Sequence, residues 1–309
     1  MIDYIAVTNP IGETLVMPMT DPYSSGFAIK TIDGLGPAKG SVNVTDVSSS
    51  DGAIFNSSRV GTRNIVLTLE FVDDYTVGRT IEDCRILSYH YFPVKKQITF
   101  IVKTDRRYAY AIGYVESNEP NIFSSAERAT ISILCPDSFF YSLDENDYDS
   151  VEFSDVTGGF EFEFEDPKAT SPTLKFADLS SFPERNLYYK GDSDIGVKIH
   201  IHALGPAVNP RIVNTVERTS MNLITSRIAT ITNSTGILAG DDIDIDTRRG
   251  RKRVTLTRDG VEYNIINALG KRTNWLMLRP GDNIFSYTAD SGSSSLQISI
   301  DYTAAYSGV

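Results

Sequence analysis

The chain has 309 residues, a net charge of -11 at pH 7, 41% hydrophobic residues and 22% charged residues. It is twice the usual domain length with an ordinary globular composition, so two domains are expected. The acidic balance argues against a nucleic-acid binder, no apolar run is long enough to span a bilayer, and residues 1–12 lack the basic-then-apolar pattern of a cleaved leader.

Sixteen tyrosines and fifteen phenylalanines against one tryptophan lean toward strands. Residues 1–47 read as short strands and turns, among them Leu15–Met17 before Pro18 and Phe27–Ile32 closed by Asp33-Gly34. Glycines at 34, 36 and 40 crowd the stretch that follows, and glycine permits positive φ. Ser41–Val47 alternates, with Val42, Val44 and Asp46 on one side. Residues 48–61, SSSDGAIFNSSRVG, are small and polar around Ile54 and Phe55. They read as a long hairpin tip or an extended arm, and its two apolar residues as a partner contact or part of a mobile loop.

The clearest strand is Arg63–Asp73, where Ile65, Leu67, Leu69 and Phe71 share one face. A helix follows, with Thr80 as cap, Asp83 three residues on, and Ile81, Cys84, Leu87, Ser88 and Tyr91 on one face before Pro93. Ile98–Thr104 and Tyr108–Ser117 form a hairpin across Asp105–Arg107. Ile131–Ser142 closes the set: Ile131, Ile133 and Cys135 alternate inward, Pro136 and Asp137 stop the strand, and LDENDYDS is an acidic connector. The first domain is therefore placed at 1–143, a β-sandwich or barrel with one helix, and the second at 144–309, a β-sandwich.

The second half reads as strands only. GGFEFEFED puts Phe160, Phe162 and Phe164 on one face and three glutamates on the other. Leu174–Phe176, Ile195–Ile201, Ile212–Thr215 and Ile228–Thr232 are further candidates. Residues 240–260 form a hairpin turning at Arg248–Gly250. Trp275–Leu278 precedes a turn at Arg279–Asn283, and Ser293–Tyr302 alternates at Leu296, Ile298 and Ile300.

Searching this pattern for chemistry yields little. Cys84 and Cys135 form no CxxC pair and read as buried, reduced thiols, with a disulfide left open. Asp242, Asp244 and Asp246 lack the glycine and later glutamate of a calcium loop. His200 and His202 share a strand face, but a zinc site needs a third ligand. Arg248, Arg249, Arg251, Lys252 and Arg253 are a basic cluster at a hairpin tip, open to phosphate or an acidic surface. GxSxG, HExxH and Walker loops are all missing, and Glu161, Glu163 and Glu165 fit a strand face better than a glycosidase site. The chain is read as non-enzymatic, with no cofactor and no metal.

The order of these features resembles the siphophage distal tail protein (Dit) family, the baseplate hub at the tip of long non-contractile tails. The resemblance lies in Gly34-Leu35, RNIVLTLEF, the helix at Thr80–Phe92, and RRYAYAIGYVESNEPNIFSSAERATISILCPDSFFYS. It continues in GDDIDIDTRRGRKRVTL, Asn264 and WLMLRPGDNIFSY, and so spans nearly the whole chain. It implies a hexameric ring formed through the N-terminal domain, single or stacked back to back. It also implies partners: the tail tube protein above, the tail-associated tip protein below, and in some phages a receptor-binding protein. The C-terminal domain would be a galectin-like sandwich, the site the phage tail, and the role host attachment without catalysis. Ile54 and Phe55 are the residues placed at the ring interface. The alternative is a carbohydrate-binding tail module; Trp275 is its natural stacking platform but heads an apolar run and reads as core.

Overall fold

The computed structural model describes residues 1–46, 51–144, 147–158, 177–181 and 184–309. The chain forms two compact units, Met1–Asp147 with Thr303–Val309, and Tyr148–Tyr302. The sequence reading ran the second domain to residue 309; the segment 303–309 instead folds within the first unit.

Unit 1 carries β1 (Ile2–Thr8), β2 (Thr14–Pro18), a one-turn helix α1 (Pro22–Ser25), β3 (Phe27–Asp33), β4 (Gly40–Asp46), β5 (Ala53–Val60) and β6 (Arg63–Phe71). Helix α2 (Ile81–Tyr91), β7 (Gln97–Thr104), β8 (Tyr108–Pro120), β9 (Arg128–Cys135) and β10 (Phe140–Ser142) follow. One antiparallel sheet runs in the order β2-β1-β7-β8-β9-β6-β3. Its inner face follows from period-two alternation: Ile65, Leu67 and Leu69 of β6 sit opposite Ile133, Ile131 and Ala129 of β9, all buried. Phe100 pairs with Ala111 and Ile98 with Gly113 in the same layer. Gly113 has a packing reason, since a Cβ there would come within 2.6 Å of the Ile133 side chain. Helix α2 closes the core with Cys84 and Ser88, and its capping box is complete: Thr80 accepts from the Asp83 amide while the Asp83 carboxylate accepts from Thr80.

Arg63 opens β6 from inside the protein, with only 2% of its surface exposed. Its guanidinium donates to four carbonyls, Gly34, Gly36 (2.6 Å), Ser138 (2.6 and 3.0 Å) and Ser307 (2.6 Å), and stacks 4.3 Å from the Phe140 ring. These join the turn after β3, the turn before β10 and the returning segment. That segment pairs Ala305 and Tyr306 with β10, and Val309 donates to the Leu35 carbonyl at 3.0 Å. Gly34 sits at φ +87°, where a Cβ would fall 2.1 Å from the Asn64 carbonyl oxygen, so only glycine fits.

Unit 2 contains β11 (Tyr148–Glu152), β12 (Ser154–Gly158), β13 (Ala177–Ser181), β14 (Glu184–Tyr189), β15 (Ile195–Gly196), β16 (Lys198–Ala203), β17 (Arg211–Asn214) and β18 (Thr219–Asn222). Helix α3 (Thr225–Thr232) leads to β19 (Asp242–Asp246), β20 (Arg253–Arg258), β21 (Val261–Asn264), β22 (Met277–Leu278), β23 (Gly281–Thr288) and β24 (Leu296–Thr303), and β25 is Ala305–Tyr306 of unit 1. A sheet ordered β11-β24-β16-β19-β20-β21 faces a second, β14-β23-β17-β18. The edge-to-face pairs Phe153–Tyr287 and Tyr189–Tyr302 join the two into a sandwich. Phe160, Phe162, Phe164, their three glutamates and Leu174–Phe176 lie outside the described residues.

Two expectations are corrected here. Ile228–Thr232 belongs to helix α3, not to a strand. Its β-branched residues favour strands, but Ile228 is fully buried, Thr230 and Thr232 donate back to carbonyls four residues earlier, and Asn233 ends the helix at φ 51°. Trp275 is half-buried: in WLML it is Leu276 and Leu278 that point inward, because the run alternates.

Both thiols are free and buried. Burial raises the Cys84 thiol and pushes Cys135 up to about 11. Below the ordinary thiol range both states keep the proton; between that range and about pH 11 only the unfolded chain loses it. Stability should therefore fall as pH rises through this window, and urea unfolding should show a shallower fall in Cys135→Ala. Arg63→Met should cost on the order of 3–5 kcal/mol, since it removes a donor shared by four carbonyls. Its amide exchange should rise first at residues 34–36, 138 and 307; a loss under about 1 kcal/mol would deny the clamp.

Candidate assembly surface

The feature of unit 1 that its own core does not explain is the β4–β5 hairpin. The two strands pair with each other alone, and every residue of both is exposed. Its base is closed by the Gly61 amide on the Lys39 carbonyl at 3.1 Å. The register pairs Gly40 with Val60, Val42 with Ser58, Val44 with Phe55 and Asp46 with Ala53, with a bulge that leaves Asn56 unmatched. Directly opposed residues point to the same side, so Val42, Val44, Phe55 and Val60 form one apolar strip. The other side carries Ser41, Asn43, Thr45, Ser57 and Arg59, tied by Asn43–Ser57 (3.1 Å) and Asn56–Thr45 (2.6 Å) hydrogen bonds, and Ile54.

Ile54 and Phe55 are thus 59% and 61% exposed, on opposite faces of the blade. Sequence reasoning singled out this pair and missed Val42, Val44 and Val60 as its neighbours. The signal was present in the alternation of residues 41–47; the pairing across the turn was not legible. A two-stranded hairpin is marginal in water by itself, and an uncovered apolar strip on it is a candidate contact surface.

The other candidates resolve into local pairs. His202 Nδ1 lies 2.6 Å from Asp242, and His200 Nδ1 3.0 Å from Asp244, across the β16–β19 ladder. Among the described residues no group of three or more His, Cys, Asp or Glu is arranged to hold a metal ion. Arg248 binds Asp246 with two nitrogens at 2.6 and 2.9 Å. Burial pushes Asp246 up, but the Arg248 bonds outweigh it and leave the carboxyl below its usual range. Arg253 pairs loosely with Glu262 at 3.9 Å, while Arg249 and Arg251 stay exposed at the tip. Lys252 sits 5.1 Å above the Trp275 ring, so one face of that indole is already occupied.

No family model and no curated protein matches the chain. Among solved structures it has the fold of the SPP1 Dit (gp 19.1) protein, described as a paradigm of the hub adsorption apparatus in phages infecting Gram-positive hosts. The two align with a TM-score of 0.59 and 11% identity over 97% of this chain and 98% of that one. Chains of the phage P2 baseplate in its activated conformation with calcium and of the p2 baseplate with strontium align at TM-scores of 0.43 and 0.41. Their identities are 13% and 12%, over 98% and 97% of this chain and 99% and 98% of theirs. The shared fold is carried by the first.

Replacing residues 40–60 with a short linker between Lys39 and Gly61, already in contact, should leave a folded protein whose stability changes by less than about 1 kcal/mol. Its light-scattering mass should be that of a single chain. Larger assemblies persisting after the deletion would remove the hairpin from the interface.

Proposed function

We propose that this chain is a structural protein of a phage tail tip, a hub that assembles through unit 1 and catalyses no reaction. The observation that carries the reading is the fold shared with SPP1 Dit from one end of the chain to the other. The exposed blade supports it, because a subunit of a ring must keep a surface that only a neighbour covers. The finer reading is a hexamer joining the tail tube protein to the tip protein, located at the distal end of the virion tail. Unit 2, a two-sheet sandwich, is then the module available to a receptor-binding protein. The glycan-binding alternative is less favoured, since Trp275 is half-buried beneath Lys252.

Electron microscopy of the purified protein should show closed rings, and light scattering should give six times the mass of the chain. Single chains at every concentration up to the solubility limit would refute the reading.

A further inference from the structure

The outer face of the unit 1 sheet is divided in two. Over β9, β6 and β3 it is polar and satisfied: Glu70 bridges Lys30 (2.9 Å) and Arg128 (2.7 Å), and Ser132 bonds Asn64 and Glu116 at 3.0 Å. Over β2, β1, β7 and β8 an apolar row runs beside a row of threonines, Thr14, Thr8 and Thr99. Val16, Ala6, Ile101 and Tyr110 form the apolar row, with Ala6 buried within it; Ile112 ends the threonine row, and Tyr114 with Leu134 of the adjoining β9 lies beyond it on the same face. Val16, Ile112, Tyr114 and Leu134 remain 37–45% exposed. The blade does not lie on this face, since all of its own residues are open.

We infer that the blade of one copy lies across the apolar outer face of the next copy's sheet; this rests on the ring reading above. Position is the first argument. The blade connects β3 and β6, at one end of the strand order, and the apolar face occupies the other end. A projecting strip and a receiving face at opposite ends of one unit make a head-to-tail contact, the kind that closes into a circle. Size is the second. Seven paired residues of β4 run about 23 Å, and the four strand spacings from β2 to β9 cover about 19 Å. Charge is the third. Asp46 lies on the apolar side at the far end of the strip. Lys103 lies on the same outer face, over the Tyr108 ring at 4.9 Å, with no carboxylate partner among the described residues. The strip offers on the order of a few hundred Å² of apolar surface, against about 800 Å² a side for a stable pair. One blade contact therefore does not hold two copies; a closed circle holds every copy at two faces.

The test places p-benzoylphenylalanine at position 55, and separately at 44, in full-length protein mixed from light and ¹⁵N-labelled copies. Irradiated rings should give cross-links from residues 40–60 of one copy to the peptides containing Ile112, Tyr114 or Leu134 of another. In parallel, Ile112→Glu, at an already exposed position, should stay folded by circular dichroism and lower the ring population at least about tenfold. Rings whose cross-links join two blades, or miss this face at both positions, overturn the inference and leave the ring reading intact. Rings undiminished in Ile112→Glu do the same. Should the photoreactive variants form no rings, the Ile112→Glu result decides. A single-chain mass for the unlabelled protein overturns both.

Discussion

Arg63 is charged, buried and held by four carbonyl oxygens and the face of the Phe140 ring. Burial lowers the pKa of this guanidinium, yet an arginine starts so high that the charge persists. Its planar fork can serve several acceptors at once, which a lysine could not do. Here the acceptors come from three stretches far apart in the chain: the turn leading into the blade, the turn after β9, and the segment returning from unit 2. Those carbonyls lie outside the strands, in turns and in the returning segment. The arginine thus solves a hydrogen-bonding problem that a sheet cannot solve at its own corner.

The blade depends on that corner. Gly34 and Gly36, both bound by Arg63, stand a few residues before Gly40. Gly34 admits no side chain because the Asn64 carbonyl occupies the space. The base of the hairpin is therefore anchored to the core while its strands stay exposed along their whole length. The exit is fixed by hydrogen bonds, and the apolar strip beyond it stays uncovered within the chain.

The division of labour along the sheet has the same origin. Apart from Arg63 at its corner, the inner face of the paired strands is apolar because it covers one core. The outer face is free to vary, and it changes from ion pairs over β6 and β9 to aromatic and aliphatic side chains over β7 and β8. Chemistry is sparse by comparison. The histidines and aspartates of β16 and β19, and Arg248 with Asp246, satisfy each other within one sheet.

The sequence by itself determined the strands with strict alternation, the capped helix α2, the buried thiols and the β19–β20 hairpin, since each depends on neighbours within a dozen or so residues. It also marked Ile54 and Phe55 as apolar residues without a core. Only the tertiary structure decided that Ile228–Thr232 is helical, that Trp275 stays half outside, and that 303–309 returns to unit 1. The same holds for the pairing that sets Phe55 beside Val44 and for the carbonyls gathered around Arg63. Local periodicity reports which face of an element is apolar, whereas its partner is set by packing between residues as much as 244 positions apart.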